Sequence, residues 1–157
     1  MSRRNLAATA AAVAATAALG SVASADTRSP WYLGLDKPSI QPPAVVFPVV
    51  WTTLYTDIVV TSARAQDRLE GALDEVAAYR RALAVNLALN ASWSWVFFKA
   101  HRLGPAVAVA AALTVSSAGL VRRTYEAEPA AGLALAPYAG WCAFATVLSA
   151  ALWRRNR

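Results

Sequence analysis

The sequence predicts an all-α integral membrane protein that folds as a bundle of five transmembrane helices. Of its 157 residues, 57% are hydrophobic and 15% are charged, which is too apolar for an ordinary soluble domain. The charges cluster between uncharged runs at residues 5–25, 38–56, 82–98, 103–121 and 130–153. Because a helix needs about 20 apolar residues to cross a bilayer, we expect five crossings. The predicted helices lie at about 5–25, 44–65, 80–100, 103–125 and 130–153 of one domain, residues 1–157.

The basic residues indicate a membrane surface rather than a nucleic acid. The net charge is +6, from 15 Lys and Arg against 9 Asp and Glu. Arginines fall in pairs at the ends of the apolar runs, at positions 3–4, 80–81, 122–123 and 154–155. No basic helical face or RNA-binding motif accompanies them, so we interpret them as interfacial anchors and expect the lipid bilayer, and no nucleic acid, as a partner. Their nearly even division between the two sides predicts no orientation.

The first apolar run has two interpretations. A basic start, an alanine-rich stretch and Ala-Ser-Ala before Asp26 have the pattern of a secretory signal peptide. A retained transmembrane helix explains the same residues equally well. With the signal peptide removed, the remainder is a four-helix membrane protein whose tryptophans are interfacial belt residues.

A proline-rich loop at residues 26–43 joins the first two runs. Proline fixes φ and removes a backbone donor, so Pro42 and Pro43 stiffen this loop beside Trp31. In the following run, Trp51 and Tyr55 are four residues apart and share one helix face. A stiff loop beside an aromatic face indicates either a lid over a pocket or an anchored turn at the membrane surface.

Asp57 lies near the middle of the second run. An ionisable group at that depth is costly and indicates a functional site. The alternative is a protonated carboxylic acid that bonds to Thr53 or Thr61 on its own face. Residues 66–81 form the one strongly polar stretch, and their alternating charges predict a short solvated helix or loop outside the membrane.

The third run carries amides and aromatic rings on one stripe, at Asn86, Asn90, Trp93 and Phe97. Amides are expensive in a bilayer unless they face other helices or a cavity, so this stripe should point into the bundle. On another face, Ala84 and Ala88 form a small-xxx-small pair that suits packing of a second subunit. The fourth run carries no chemistry, and the fifth has a further stripe at Pro137, Trp141, Phe144 and Leu148.

Conventional catalytic and metal sites find little support in the composition. The chain has one histidine and one cysteine, and no Ser-His-Asp set, phosphate loop or metal cluster is present. His101 lies between Lys99 and Arg102, which is more typical of a surface histidine than of a haem ligand. Cys142 lies inside an apolar run and has no partner for an intrachain disulfide. We therefore expect no metal site.

Four motifs in order resemble the TspO/MBR family. They are WYxxLxKPxxxPP at residues 31–43, FPVVWTTLY at 47–55, NxxWSxxFF at 90–98, and PYxxWxxFATVL followed by WRRN within 137–156. The family contains the bacterial tryptophan-rich sensory proteins and the mitochondrial translocator protein, or peripheral benzodiazepine receptor. The resemblance covers most of the chain. It implies five transmembrane helices with the first retained, a homodimer, and a ligand pocket closed by the loop between helices one and two.

The resemblance also implies a ligand class and a set of pocket residues. Family ligands include protoporphyrin IX and haem, and Trp51 and Trp141 are similar in position to the two tryptophans implicated in porphyrin chemistry. The same cavity would be lined by Tyr55, Asn90, Trp93, Phe97, Tyr138 and Phe144. Trp31, Pro42 and Pro43 would shape its lid. Ala145 stands where the family has a small residue that tunes ligand binding.

One departure bears on sterol binding. Animal members have a tyrosine after ATVL in a proposed cholesterol consensus, whereas this chain reads Ser149-Ala150-Ala151. We expect no physiological cholesterol binding.

Residues and resemblance together predict a membrane receptor or sensor that binds porphyrins and regulates tetrapyrrole metabolism or transport. The porphyrin or haem is its ligand, and no cofactor is required. One alternative is a light- and oxygen-dependent porphyrin-degrading enzyme that uses Trp51 and Trp141. Another is a small-molecule transporter, for which Asp57 is the single candidate for ion coupling. The alanine- and arginine-rich composition favours a bacterial source, so we expect a multi-pass protein of the bacterial cell membrane.

Overall fold

Five long helices and one short helix make up the fold, which a computed structural model describes for residues 1–157. They are α1 (Arg3–Ser24), α2 (Pro30–Leu33), α3 (Val46–Arg68), α4 (Leu73–Ser94), α5 (Leu103–Ala127) and α6 (Pro129–Arg155). A 3-10 turn at Ala25–Arg28 follows α1, and a π-helical segment at Trp95–Lys99 extends α4. The structure contains no strand, so the predicted all-α class is confirmed.

The long helices pack as a closed ring in the order α1, α3, α6, α5, α4, and α4 completes the ring against α1. The α5–α6 interface is the most extensive, because the single residue Glu128 connects these helices and forces them antiparallel. Pro129 begins α6 at a position where its missing N–H costs nothing. A ring of this kind leaves an interior that three or more helices line together.

Four helices are long and apolar enough to cross a membrane, namely α1 with its following turn, α3, α5 and α6. The helix α4 is the exception, because its first turns carry charged side chains: Asp74, Glu75, Arg80 and Arg81. It lies between α1 and α5 in the ring, so it completes the five-helix bundle that the sequence predicts.

The polar stretch at residues 66–81 differs from its prediction. Most of its residues are exposed, as predicted, but the stretch is divided between the end of α3, a turn and the start of α4 instead of forming a separate element. Helix α3 continues to Arg68, a turn containing Gly71 at φ 110° follows, and α4 begins at Leu73 instead of near residue 80. Gln66 is 3% exposed and Tyr79 is 1% exposed, so this stretch contributes to the interior. Gln66 and Arg80 form hydrogen bonds across the bundle. Glu70, Asp74, Glu75 and Arg81 are exposed and make no ion pair.

Hydrogen bonds between distant parts of the chain tie together one end of the bundle, which we term the polar end. It consists of the start of α1, the α3–α4 connection and the α5–α6 connection. Asp67 accepts from the Asn5 amide and from the Ser2 backbone N–H, each at 2.7 Å. The Gln66 amide donates to Thr9 at 3.0 Å and its oxygen accepts from Arg80 at 2.8 Å.

Arg64 and Glu128 form an ion pair at the polar end. The guanidinium donates through Nε at 3.1 Å and through a terminal nitrogen at 2.5 Å, so the pair is bidentate. Arg68 lies 3.8 Å from the same carboxylate. Arg64 lowers the pKa of Glu128 below its usual value by hydrogen bonding to the ionised form. Glu128 is 8% exposed, and this contact joins α3 to the α5–α6 connection.

Candidate functional site

A chain of buried polar groups crosses the interior of the ring. The Tyr55 hydroxyl of α3 donates to Asn90 Oδ1 of α4 at 2.9 Å, and Asn90 Nδ2 donates to the Tyr138 hydroxyl of α6 at 3.3 Å. Tyr138 donates in turn to Asn86 Oδ1 at 2.7 Å, and Asn86 Nδ2 donates to Ser117 Oγ of α5 at 3.0 Å. Four helices therefore meet through side-chain hydrogen bonds at one level of the bundle.

The chemistry of this polar centre follows from its burial. Asn86 and Tyr138 are 0% exposed and Asn90 is 4% exposed, so none of them is satisfied by bulk water. An amide carries donors and acceptors together, and each asparagine here uses both. Removing one member would leave its neighbours as unpaired polar groups in a low-dielectric interior. The centre thus fixes the rotation of α3, α4 and α6 about their axes.

Aromatic side chains of α3 and α6 flank the polar centre on the side toward the loop. Trp51 lies against Tyr55 with ring centroids 5.4 Å apart. Phe47, one turn earlier on α3, contacts Trp141 at 6.2 Å, and Trp141 contacts Phe144 at 5.2 Å. Trp51, Tyr55 and Trp141 pack on the larger of two hydrophobic clusters, whereas Phe47 and Phe144 pack on the smaller one. This aromatic wall therefore bridges the two cores.

The loop before α3 covers a second group of aromatic rings. Trp31 stacks on His101 with centroids 4.0 Å apart and planes inclined by 13°, and it meets the edge of Phe97 at 5.6 Å. Phe97 stacks on Trp93 at 5.1 Å. The π-helical turn at Trp95–Lys99 turns both Phe97 and Phe98 inward, where they are 2% and 8% exposed. We term this group and its covering loop the lid end.

Exposed polar contacts hold the rim of the lid. Asp36 pairs with Arg155 at 3.2 Å, and its backbone N–H donates to Asn156 at 2.9 Å. Lys99 pairs with Asp26 at 2.7 Å. The Lys37 ammonium donates to the Tyr32 carbonyl at 2.8 Å and lies 4.8 Å from the centre of the Tyr32 ring. These contacts attach the loop to α4 and to the end of α6.

Comparison with known proteins identifies the relationship. A model of the TspO/MBR family matches residues 8–154. The human translocator protein is 34% identical over 126 residues, which is 80% of this chain and 75% of the human protein. Protein CrtK of Rhodobacter capsulatus is 34% identical over 127 residues, and the tryptophan-rich sensory protein of Cereibacter sphaeroides is 34% identical over 126. Those matches each cover 80% of this chain, and 78% and 77% of the relatives.

The chain belongs to the TspO/MBR family. It is therefore a multi-pass integral membrane protein with the five-helix bundle of that family. Tight hydrogen bonds of α1 to α3 at Asp67 and Gln66 show how the first helix takes part in this bundle.

The predicted site residues fall into two groups in this TspO/MBR bundle. Around the polar centre and the aromatic wall the structure brings together Trp51, Tyr55, Asn90, Tyr138, Trp141 and Phe144. Trp31, Trp93 and Phe97 instead form the lid-end stack. Pro42 is half-buried and Pro43 exposed in the segment leading to α3, and Ala145 is half-buried on α6. Phe47 and Phe144 lie between the two groups, since both contact Trp141 and both pack on the smaller core, which includes Phe97.

The predicted set of pocket residues does not include Phe47, Asn86 or His101, although Asn86 is predicted to point into the bundle. Phe47 is four residues before Trp51, so the spacing that places Trp51 and Tyr55 on one helix face also places Phe47 there. Asn86 was placed on the inward stripe, but its contact with Tyr138 depends on a helix 52 positions away. His101 is exposed as expected, yet it stacks on Trp31 from a left-handed backbone position at φ 55°. No sequence signal links it to the loop.

Two further features of the site concern metal binding and an unpaired hydrogen-bond donor. No group of three or more His, Cys, Asp or Glu side chains is placed to hold a metal ion. The indole N–H of Trp93 is buried and has no hydrogen-bond partner. A buried donor left unpaired is uncommon, and here it lies in the aromatic stack beneath the lid.

Proposed function

We propose that the protein is a membrane receptor or sensor that binds a porphyrin, such as protoporphyrin IX or haem, within its helix bundle and regulates tetrapyrrole metabolism or transport. The observation that carries this proposal is the aromatic wall of Trp51, Trp141 and Phe144 beside the Tyr55–Asn90–Tyr138 hydrogen bonds. A flat and largely apolar macrocycle stacks on such rings, and a few polar groups orient it.

The charges at the lid end suit the acidic edge of a porphyrin. Its propionates are anionic and need cations near the membrane surface. Arg28 and Arg102 are exposed and make no ion pair, while Lys37 is already engaged with the Tyr32 carbonyl. The ring would thus point inward and its propionates toward the lid. Binding requires the lid-end rings to move, because Phe97 now contacts both Trp31 and Trp93.

We expect the functional unit to be a homodimer in a bacterial cell membrane. Ala84 and Ala88 are both exposed on α4, so the small-residue face that suits a second subunit is not consumed inside the bundle.

Titration of tryptophan fluorescence with protoporphyrin IX tests the receptor proposal. Saturable quenching is expected in the wild-type protein. The Trp51→Phe and Trp141→Phe double variant should bind about tenfold more weakly, because two aromatic contacts of about 0.5–1.5 kcal/mol are weakened. Trp153→Phe is the matched control, since Trp153 lies at the end of α6 and is 39% exposed. Unsaturable quenching, or equal affinity of the double variant and the control, would remove the site assignment.

A second candidate function is photo-oxidative degradation of the porphyrin. The observation in its favour is that Trp51 and Trp141, both half-buried, pack on the same core beside Tyr55 and Phe144. In that reaction the excited porphyrin and O2 supply the reactivity. Illumination of the aerobic complex should then bleach the visible absorption bands of the porphyrin. Bleaching should cease when O2 is removed, and also in the Trp51→Phe and Trp141→Phe double variant. Porphyrin binding without tryptophan-dependent bleaching would favour the receptor over the enzyme.

A further inference from the structure

A surface groove runs between α4 and α5, on the outside of the ring and away from the aromatic site. Its volume is about 380 Å³, within the range of about 300–1,000 Å³ that small-molecule sites occupy. The lining comes in equal parts from the two helices: Ala78, Arg81, Ala82 and Val85 of α4, and Ser116, Gly119, Leu120 and Arg123 of α5. On each helix these positions follow i, i+3, i+4 and i+7 spacing, so each helix contributes one face.

The two arginines of the groove lie at the same level of the bundle. The Tyr79 and Thr124 hydroxyls are 2.8 Å apart, and Asn86 donates to Ser117 at 3.0 Å. These two contacts give a regular antiparallel register, in which each step forward on α4 matches one step back on α5. Arg81 therefore lies opposite position 122, next to Arg123. Both are near the polar end, where α4 begins and α5 ends.

Neighbouring arginines are used in other ways, which sets this pair apart. Arg80 turns inward and donates to Gln66 and Asn5, and Arg122 pairs with Glu126 at 3.6 Å. Arg81 and Arg123 are exposed and make no ion pair or side-chain hydrogen bond. Two guanidiniums thus stand on either side of one groove with their donors free.

Small residues create the space below the arginines. A Cβ added at Gly119 would meet nothing within 4 Å, so the groove floor is open there. Ala78 and Ala82 form the opposite floor, and Val85 is 56% exposed toward the membrane centre. The Ser116 hydroxyl accepts a hydrogen bond from the Asn86 amide at 3.2 Å, so this polar group of the groove already has a partner. Below its charged end the groove is therefore apolar.

We propose that this groove binds an anionic phospholipid, with the phosphate between Arg81 and Arg123 and one acyl chain along Val85 and Gly119. Guanidinium groups bind phosphate oxygens through paired N–H donors, and basic sites between transmembrane helices suit anionic headgroups. Charge complementarity and the apolar floor select this occupant over a helix of another protein, which would have to bring an acidic side chain to the same point. The proposal does not depend on porphyrin binding.

Native mass spectrometry of the full chain in detergent tests the site. Dioleoyl phosphatidylglycerol and dioleoyl phosphatidylcholine are titrated separately, and the bound lipid is counted. Phosphatidylglycerol should bind more tightly. Arg81→Gln with Arg123→Gln should weaken its binding about 25-fold, because each interfacial arginine contributes about a factor of five. Arg3→Gln with Arg4→Gln is the matched control, as those exposed arginines flank α1 near the same end without lining the groove.

A second variant tests the acyl-chain part without changing charge. Gly119→Leu fills the open floor and should reduce phosphatidylglycerol binding at least fivefold, while the melting temperature stays equal to or above that of the wild type. Three results would overturn the proposal. They are equal binding of the two lipids, an equal loss in the Arg3 and Arg4 control, and a change of oligomeric state in the groove variants with lipid binding unchanged. The last would assign the groove to a protein interface.

Discussion

The two ends of the helix bundle are closed by different kinds of contact. At the polar end, buried side chains join distant segments through short hydrogen bonds, and Gln66, Asn5 and Glu128 are 3%, 7% and 8% exposed. At the lid end, aromatic rings stack under a loop whose ion pairs are exposed. The Asp36 and Arg155 side chains are 61% and 46% exposed. Exposed ion pairs contribute about 0–1 kcal/mol each, so the rim of the lid is inexpensive to break.

This difference indicates a division of labour between the ends. Breaking the polar end would leave unpaired polar groups in a buried position, which carries a large penalty. Opening the lid end separates aromatic rings that make no directional bonds to one another, and their polar neighbours are already near water. Ligand access is therefore expected at the lid end, while the polar end keeps the five helices in register.

Gly132→Ala should give the largest effect, because Gly132 of α6 lies against the backbone of Tyr125 of α5 at the polar end. A Cβ at Gly132 would overlap the backbone of Tyr125 across the single-residue connection between α5 and α6. Backbone cannot rotate out of the way, so we expect destabilisation of about 3 kcal/mol. The measurement is unfolding of the purified protein by a denaturing detergent.

Gly140→Ala is the matched control on the same helix. Its added Cβ meets nothing within 4 Å, so the variant should gain about 0.5–1 kcal/mol from the better helix propensity of alanine. Opposite signs for the two substitutions are expected. A neutral Gly132→Ala variant would show that the α5–α6 contact is not as close as described.

The Arg64–Glu128 pair should make the polar end sensitive to acid. Because Arg64 lowers the pKa of Glu128, the folded protein binds this proton more weakly than the unfolded chain. The stabilisation is therefore present above the usual carboxyl pKa of about 4.3 and is lost as the pH falls through the lower folded value. Glu128→Gln should melt about 3 °C lower than the wild type at pH 7, and the difference should shrink toward pH 3.

Glu70→Gln provides the comparison, since Glu70 is exposed on the α3–α4 connection and forms no ion pair. Its melting temperature should follow the wild type at every pH. A Glu128→Gln difference that persists unchanged at pH 3 would mean that shape, rather than charge, supports this contact.

The bundle itself could be predicted from sequence because hydropathy is a local property. Uncharged runs of about 20 residues show where the spans lie, and the inward amides on α4 follow from helical spacing and the cost of burying them. The true start of α4 was not predictable in this way. Tyr79 and Arg80 look solvated in sequence, but their partners Thr124 and Gln66 lie on other helices. Local charge patterns do not reveal such distant partners.

The aromatic site shows the same boundary between local and distant information. The aromatic stripes on α3, α4 and α6 can each be predicted from the spacing within one helix, and the resemblance to the family implies that they share a cavity. Their separation into a polar centre and a lid-end stack depends on the order of helices around the ring. It also depends on the π-helical turn at Trp95–Lys99, which changes the direction of the following side chains.

Trp31→Ala should have the smallest effect on global stability and a local effect at the lid. Its ring contacts His101 and Phe97, and losing these stacks removes about 1.5 kcal/mol from the closed lid, which corresponds to about tenfold faster amide exchange in residues 26–45. Exchange at the polar end, in residues 2–9, should not change. Ile40→Ala, in the same loop and 47% exposed, controls for simple loss of apolar surface. Unaltered exchange in Trp31→Ala would mean that the rim contacts of Asp36 close the lid without the aromatic stack. Faster exchange at both ends of the bundle would show that the two ends open together, and the distinction between them would then be wrong.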